Sequence, residues 1–173
     1  MLNIPSLESI TAFIFDMDGV LTDGNLLLGP DQMQLRTMNV KDGFALQLAV
    51  KKGYIIIIIS GAESLPAMER LNKLGISEVH MGVQDKEEKV LDLLKQYELD
   101  YTQVLYMGDD LPDLAVMKKC GIASCPADAV PEIKSIAHII ASNTGGKGCV
   151  REILEKVMRA RGDWEIDALV RSI

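Results

Sequence analysis

The sequence "FIFDMDGVLTDG", residues 13–24, sets an apolar run directly before three aspartates. The apolar residues 11–15 are few and rich in β-branched and aromatic side chains, which predicts a buried strand. Asp16 and Asp18 follow, two residues apart, so both side chains point the same way if the backbone stays extended. Two carboxylates that close repel each other unless a cation or a proton lies between them. The stretch therefore predicts a strand that carries two acidic groups to a binding site.

Further apolar runs and helix-period segments alternate along the rest of the chain. The runs cover residues 54–59, 78–81, 103–107, 121–124 and 137–141, and the helical segments cover 42–52, 64–74, 86–97, 111–119, 130–136 and 148–160. This alternation predicts an α/β fold, a three-layer αβα sandwich with a central parallel sheet. Segment 25–37 does not follow this alternation of strands and helices. Two apolar runs flank the turn sequence Gly29-Pro30-Asp31, which predicts a projecting β-hairpin.

Composition limits the organisation of the chain and its partners. With 173 residues, 48% of them hydrophobic, the chain is long enough for one core, and we expect a single domain over residues 1–161 with a C-terminal tail at 162–173. A net charge of −7 without a basic run argues against nucleic acid and anionic lipid as partners and favours a small molecule. Three cysteines without a CxxC pair, no signal peptide and no membrane-spanning run favour the cytoplasm.

Polar residues follow four of the predicted strands, at the sheet edge where open parallel sheets bind ligands. They are Asp16 and Asp18; Ser60 and Gly61; Lys86; and Asp109, Asp110 and Asp113. Each group has an ordinary explanation alone, since acidic residues often cap helices and a lone lysine is usually solvated.

Taken together, five carboxylates at one edge with a single lysine predict a hard cation with oxygen ligands, for which Mg²⁺ is the natural candidate. A metal, a hydroxyl, a lysine and a backbone amide around two aspartates would bind a phosphoryl group, because such catalysis consists mainly of spreading negative charge. A carboxylate not needed by the metal can then attack phosphorus.

In their order, the motifs D-x-D-G-V-L-T-D, S-G, Lys and G-D-D-x-x-D resemble those of the haloacid dehalogenase-like phosphohydrolases, which have a Rossmann-like fold. The resemblance implies that Asp16 is the nucleophile and that Asp18 protonates the leaving oxygen and then activates water. It implies that Ser60, Gly61 and Lys86 hold the phosphoryl group. Mg²⁺ would be bound by Asp16, the backbone carbonyl of Asp18 and Asp109, while Asp110 and Asp113 orient metal waters or the lysine.

The intervals between these motifs are too short for a folded cap domain, so the chain resembles the capless members. Among them it is similar to the 3-deoxy-D-manno-octulosonate 8-phosphate phosphatases of lipopolysaccharide precursor biosynthesis, which form tetramers. That resemblance implies a homotetramer with hairpin 25–37 and the tail 162–173 at subunit contacts, the tail closing a neighbouring site. A frayed terminus is the alternative for the tail.

The subfamily resemblance extends over nearly the whole chain. Residues 39–46, "NVKDGFAL", resemble the segment after the subfamily's hairpin, which places Lys41, Asp42 and Gly43 on the substrate side. Residues 145–157, "GGKGCVREILEKV", resemble its glycine-rich stretch and the helix that follows. The residues alone predict a mobile turn at Gly145 to Gly148.

One departure concerns the substrate. The subfamily commonly has an arginine soon after the S/T-G motif, where this chain has Ala62 and Glu63. Phosphatases of nine-carbon, sialic-type sugar acids have a glutamate in this neighbourhood, so Glu63 keeps a nine-carbon sugar acid 9-phosphate as the alternative substrate.

A phospho-acceptor receiver domain, a signalling module with a similar set of polar groups, is the alternative of another class. In receiver domains the acidic pair precedes a separate acceptor strand, whereas here Asp16 lies on the first strand with Asp18 two residues further on. An added acid/base shortens the lifetime of a phosphoenzyme. This feature favours turnover over signalling.

Overall fold

The computed structural model describes residues 6–165 and contains a central sheet of six parallel strands. The strands are β1 (Ala12–Asp16), β4 (Ile55–Ile59), β5 (Glu78–His80), β6 (Val104–Met107), β7 (Ile122–Cys125) and β8 (Ile139–Ile140), in the order β5-β4-β1-β6-β7-β8. Strand β1 lies at the centre, with Phe13 in register with Ile56 on one side and Leu105 on the other. The six predicted strands and the parallel sheet are confirmed.

Helices cover both faces of the sheet. They are α1 (Val40–Lys51), α2 (Leu65–Lys73), α3 (Lys86–Gln96), α4 (Leu114–Met117), α5 (Pro131–Ile136) and α6 (Cys149–Ala160). Alternate residues of β1 pack on opposite sides: Phe13 and Phe15 contact the layer of α1, α2 and α6, whereas Ala12 and Ile14 contact the layer of α3, α4 and α5. The absence of polar residues between Ile55 and Ile59 has the same cause, since both faces of that strand are covered.

The predicted hairpin is present between β1 and α1. Strands β2 (Leu27–Leu28) and β3 (Gln34–Leu35) pair in antiparallel register, and the turn between them is closed by the Gly29 amide donating to the Met33 carbonyl at 2.8 Å. Leu27 and Leu28 are 69% and 72% exposed. The hairpin thus presents apolar side chains to its surroundings and projects from the sheet layers.

The glycine-rich segment before α6 differs from the mobile turn predicted for it. The Gly146 amide donates to the Val20 carbonyl at 2.9 Å, and a methyl group on Gly145 would lie 2.0 Å from the Gly19 carbonyl oxygen. The backbone therefore approaches the turn after β1 more closely than any side chain would allow. These glycines pack α6 against that turn.

The beginning of the predicted tail is packed as well. Trp164 lies against the core layer of α1, α2 and α6, with the guanidinium groups of Arg151 and Arg159 over its ring at 5.5 and 5.9 Å. The remainder of the tail, residues 166–173, lies outside the described residues, so its predicted place over a neighbouring site stays a prediction. Within residues 6–165, no helix has the length and apolar character needed to cross a membrane.

Candidate active site

The carboxyl ends of β1, β4, β5 and β6 meet around one cavity of about 330 Å³. Its lining residues are Asp16, Asp18, Gly24, Ser60, Gly61, Ala62, Lys86, Asp109, Asp110, Pro112 and Asp113. All eight residues predicted at the four strand ends line this cavity. The parallel sheet brings them together because each strand stops at the same edge.

Lys86 joins the first and last motifs. Its ammonium group donates to Asp16 Oδ1 at 2.6 Å and to Asp113 Oδ1 at 2.7 Å, and all three side chains are buried. Burial alone would lower the pKa of Lys86, but the charges of Asp16 and Asp113 raise it above its ordinary value. The buried Tyr106 hydroxyl also donates to Asp113 Oδ1, at 2.7 Å. Asp113 thus holds the lysine through Oδ1, while its Oδ2 accepts from the Asp109 amide at 3.2 Å.

Asp16 and Asp109 are crowded carboxyl groups: Asp16 pairs with Lys86, and within residues 6–165 no ion pair reaches Asp109. Burial raises the pKa of Asp16 to about 6, with a further contribution from Asp113 and opposition from Lys86. Burial, together with repulsion from Asp16 and Asp113, raises the pKa of Asp109 to about 8. Asp109 Oδ1 is buried without a hydrogen-bond partner among residues 6–165.

This carboxylate cluster fits a hard divalent cation. One oxygen each from Asp16, Asp109 and Asp113 lies within 4.8 Å of the others. Both oxygens of Asp113 already accept hydrogen bonds, Oδ1 from Lys86 and Tyr106 and Oδ2 from the Asp109 amide, whereas Lys86 contacts only Oδ1 of Asp16. The carboxylates with oxygens left for a cation are therefore Asp16 and Asp109. These are the two carboxylates predicted to bind magnesium, and a cation there would satisfy the buried oxygen of Asp109.

The backbone beside the cluster is shaped for close approach. Gly19 has a φ of 95°, and a methyl group at that position would lie 2.0 Å from Asp109 Oδ2. The glycine of the first motif therefore serves two needs: a left-handed turn after Asp18 and space for the carboxylate of the last motif.

Asp18 is held by a residue that the sequence analysis missed. Arg36, at the end of the hairpin, donates from Nε to Asp18 Oδ1 at 2.8 Å and from Nη2 to Asp18 Oδ2 at 3.0 Å. The Thr22 hydroxyl donates to Asp18 Oδ1 at 3.1 Å. The sequence does contain a feature that points to Arg36 as a partner of the site. It is the one Lys or Arg in segment 25–37, and the predicted site has an excess of carboxylates.

The smaller polar residues have defined local roles. The Ser60 hydroxyl accepts from the Ala62 amide at 3.1 Å and lines the cavity with the exposed Gly61. Asp110 Oδ1 accepts from the Leu111 amide at 2.8 Å, so Asp110 begins the helical turn that positions Asp113. Asp23 Oδ1 accepts from the Asn25 amide at 3.0 Å, which makes Asp23 a turn residue at the start of the hairpin.

Lys41, Asp42 and Gly43 do not line this cavity. Asp42 Oδ1 accepts from the Arg151 amide at 2.7 Å, so the carboxylate caps α6, and burial raises its pKa to about 6. Lys41 faces a separate cavity beside α6, and a methyl group on Gly43 would lie 3.2 Å from Arg70 Nη2. Their assignment to the substrate side stays a prediction, and for Asp42 the structure provides a different role.

Removal of metal should make stability depend on pH in a defined direction. The folded-state pKa values of Asp16 and Asp109, about 6 and about 8, lie above the ordinary value of 3.8. Their contribution is therefore present at low pH and is lost as pH rises through these values. At about 1.4 kcal/mol per pH unit, Asp16 titrates over about one unit and Asp109 over nearly three, so in EDTA we expect the free energy of unfolding to fall by up to about 5 kcal/mol as pH rises from about 5 to about 8.

Urea unfolding across this pH range measures the effect, and excess Mg²⁺ should reduce it because the cation replaces the protons. Asp109→Asn should flatten the pH dependence, whereas the exposed-site control Asp92→Asn should leave it unchanged. Stability that rises with pH in EDTA would contradict this description of the cluster.

Comparison with known proteins agrees with this geometry. Residues 72–153 match the family model of the haloacid dehalogenase-like hydrolases. The 3-deoxy-D-manno-octulosonate 8-phosphate phosphatase of Escherichia coli K12 is 34% identical over 159 residues, which cover 92% of this chain and 85% of that protein.

Two solved structures are similar over most of their length. The structure of the Yersinia pestis 3-deoxy-D-manno-octulosonate 8-phosphate phosphatase is 33% identical, has a TM-score of 0.91 and covers 96% of this chain and 90% of its own. The Moraxella catarrhalis phosphatase of the same name, in complex with a magnesium ion, a phosphate ion and KDO, is 30% identical with a TM-score of 0.88, covering 91% of each chain. The chain therefore belongs to the haloacid dehalogenase-like hydrolases, in the family of the 3-deoxy-D-manno-octulosonate 8-phosphate phosphatases.

Proposed function

We propose that this protein is a magnesium-dependent phosphatase that hydrolyses 3-deoxy-D-manno-octulosonate 8-phosphate to the free sugar acid and phosphate, as a step of lipopolysaccharide precursor biosynthesis in the cytoplasm. The observation that carries the proposal is the arrangement of Asp16, with Lys86 on one oxygen and the cation-accepting Asp109 beside it. Phosphoryl transfer to a carboxylate requires this combination of a nucleophile and surrounding positive charge.

The reaction proceeds in two steps on the side chains of this cavity. An Asp16 oxygen attacks phosphorus, the bond from phosphorus to the sugar oxygen breaks, and Asp18 gives its proton to that oxygen. Asp18 then takes a proton from water as the water oxygen attacks the phosphorus of the aspartyl-phosphate, which releases phosphate and restores Asp16. Lys86, the Ser60 hydroxyl and the Gly61 amide hold the phosphoryl oxygens. Bound Mg²⁺, on Asp16, Asp109 and the Asp18 carbonyl, would supply further charge stabilisation.

The choice of the eight-carbon substrate rests on the relatives named above. Glu63 is the observation that favours the second candidate, a nine-carbon sugar acid 9-phosphate. Glu63 is exposed next to the cavity-lining Ala62, and its side chain lies against Gly82, where a methyl group would be 3.1 Å from Oε1. A carboxylate here would repel an acidic substrate group and accept hydrogen bonds from sugar hydroxyls.

Side-by-side measurement of phosphate release from the eight-carbon and nine-carbon acids tests the proposal. We expect kcat/KM in Mg²⁺ to be higher for the eight-carbon acid by at least about tenfold, a difference of about 1.4 kcal/mol in transition-state binding. The variant Glu63→Ala should change the ratio of the two values while leaving the metal requirement intact. A preference for the nine-carbon acid would transfer the assignment to it, and turnover of neither would overturn the proposed function.

We also propose that the active form is a homotetramer with hairpin 25–37 and the C-terminal tail at its subunit contacts. In a monomer, the apolar side chains of Leu27 and Leu28 on the projecting hairpin would be exposed to water. Burial of these side chains in a subunit contact would remove that exposure, which supports the assembly. Within residues 6–165, only the hairpin and α1 follow the first motif and only α2 and β5 follow the second, so these segments contain no folded cap for the site.

Charged residues on the hairpin should break the assembly. The double variant Leu27→Asp, Leu28→Asp is expected to change the mass measured by light scattering from tetramer to monomer, because burying two carboxylates in an apolar contact is strongly unfavourable. Leu65→Asp is the matched control, since Leu65 is 67% exposed on α2, outside the hairpin. A wild-type protein that is monomeric and fully active would contradict the assembly.

A further inference from the structure

We infer that Arg36 is a positioning residue for Asp18, and that the hairpin thereby orients the group that transfers protons. The inference rests on the proposed function, which assigns that role to Asp18. Arg36 makes three hydrogen bonds to the two oxygens of Asp18: Nε at 2.8 and 3.1 Å and Nη2 at 3.0 Å. This is the two-pronged arrangement in which a planar guanidinium fixes a carboxylate in direction as well as distance.

The burial of Arg36 indicates that the pair serves more than stability. The Arg36 side chain is 3% exposed, although Leu35 beside it is 45% exposed. Taking a guanidinium out of water is costly, and Nη1 has no hydrogen-bond partner within residues 6–165. An apolar residue would stabilise a buried position at least as well, because buried ion pairs contribute little net stability. An apolar residue could not, however, hold the Asp18 carboxylate in one orientation.

Asp18 needs such a partner because its own surroundings are open. Its side chain is 30% exposed and lines the cavity, and it follows Met17, where the strand has already ended. The Thr22 hydroxyl holds Oδ1 alone, at 3.1 Å. Arg36 adds a second hydrogen bond to Oδ1 and hydrogen bonds to Oδ2, which Thr22 does not contact. With both oxygens held, rotation of the carboxylate is restricted. A proton donor misplaced by about 1 Å loses about 100-fold in rate.

The position of Arg36 in the chain connects the hairpin with the active-site residue Asp18. It follows β3 directly, at the base of the hairpin whose far strand exposes Leu27 and Leu28. The hairpin therefore contacts the cavity-lining Asp18 through Arg36 and presents Leu27 and Leu28 to its surroundings. A change in the seating of the hairpin would act directly on Asp18, whereas Asp16 and Lys86 lie on β1 of the sheet and on α3 of a helix layer.

The test compares two substrates that differ in their need for a proton donor. The alkoxide leaving group of the sugar acid phosphate requires protonation, whereas the nitrophenolate of para-nitrophenyl phosphate does not. The ratio kcat/KM covers the steps through release of the leaving group. For Arg36→Ala in Mg²⁺, we expect kcat/KM to fall about 100-fold for the sugar acid phosphate and less than about threefold for para-nitrophenyl phosphate.

Two further variants complete the design. Arg36→Lys can reach the carboxylate with a single ammonium group, so it should show the same unequal loss at smaller size, and it replaces Arg36→Ala if that variant does not fold. Lys95→Ala removes a remote cation of α3, which is 68% exposed and lies 3.8 Å from Asp92 Oδ1, and should leave both values unchanged. Equal losses on the two substrates, or none, would overturn the inference. Failure of the wild-type enzyme on both substrates would instead overturn the proposed function.

Discussion

Replacing Asp16 with asparagine is expected to abolish magnesium-dependent phosphate release while leaving the fold intact. An amide cannot attack phosphorus, so we expect kcat to fall at least about 10⁴-fold. The fold should persist because Asn is nearly the same size and Lys86 keeps its second partner, Asp113, at 2.7 Å. Removal of one of several crowded carboxylates should also lessen the repulsion around Asp109.

Phosphate release and thermal unfolding of Asp16→Asn are measured together, with Asp92→Asn as the control. Asp92 is an exposed aspartate that pairs with Lys95 on α3, so its loss should affect neither quantity. Substantial turnover in the Asp16 variant would rule out its assignment as the nucleophile.

The second large effect is expected for Lys86→Met, which should impair both activity and stability. The lysine is the buried cation between Asp16 and Asp113, and its removal leaves two buried carboxylates facing each other. We expect a loss of about 3 kcal/mol in the free energy of unfolding in EDTA and a fall of about 10³-fold in kcat/KM in Mg²⁺. Part of the lost stability should return with Mg²⁺, which offsets the same carboxylates.

Urea unfolding with and without Mg²⁺, together with steady-state kinetics, measures these quantities. Lys95→Met is the matched control because Lys95 is 68% exposed and its contact with Asp92 is long, at 3.8 Å. A Lys86 variant as stable and active as this control would show that the buried ion pairs contribute nothing.

Much of the fold could be predicted from the sequence because its signals are local. Short apolar runs such as Ile55–Ile59 are strands buried on both faces. The four strand ends of the site followed from the same reasoning, since parallel strands place their carboxyl ends at one edge. In the structure these ends do meet, since Lys86 donates to Asp16 and Asp109 lies beside Asp16.

The features that could not be predicted depend on contacts between distant segments. Arg36 reaches Asp18 only because the hairpin folds back over the turn after β1, and nothing local to "QLRT" specifies that. Asp42 caps α6 through the Arg151 amide, a partner more than a hundred residues away. Gly145 looked like a flexible residue, but its small size allows contact with Gly19. In each case the residue type suggested a polar or flexible role, and the tertiary structure determined which one.

Rapid-quench mass spectrometry tests the central claim most directly. The enzyme is mixed with 3-deoxy-D-manno-octulosonate 8-phosphate and Mg²⁺, stopped in acid during turnover, and digested for peptide mapping. We expect a phosphoryl group on the peptide that contains Asp16, and none on that peptide from Asp16→Asn. Release of phosphate without a phosphorylated Asp16, or with the phosphoryl group on another residue, would contradict the proposed mechanism.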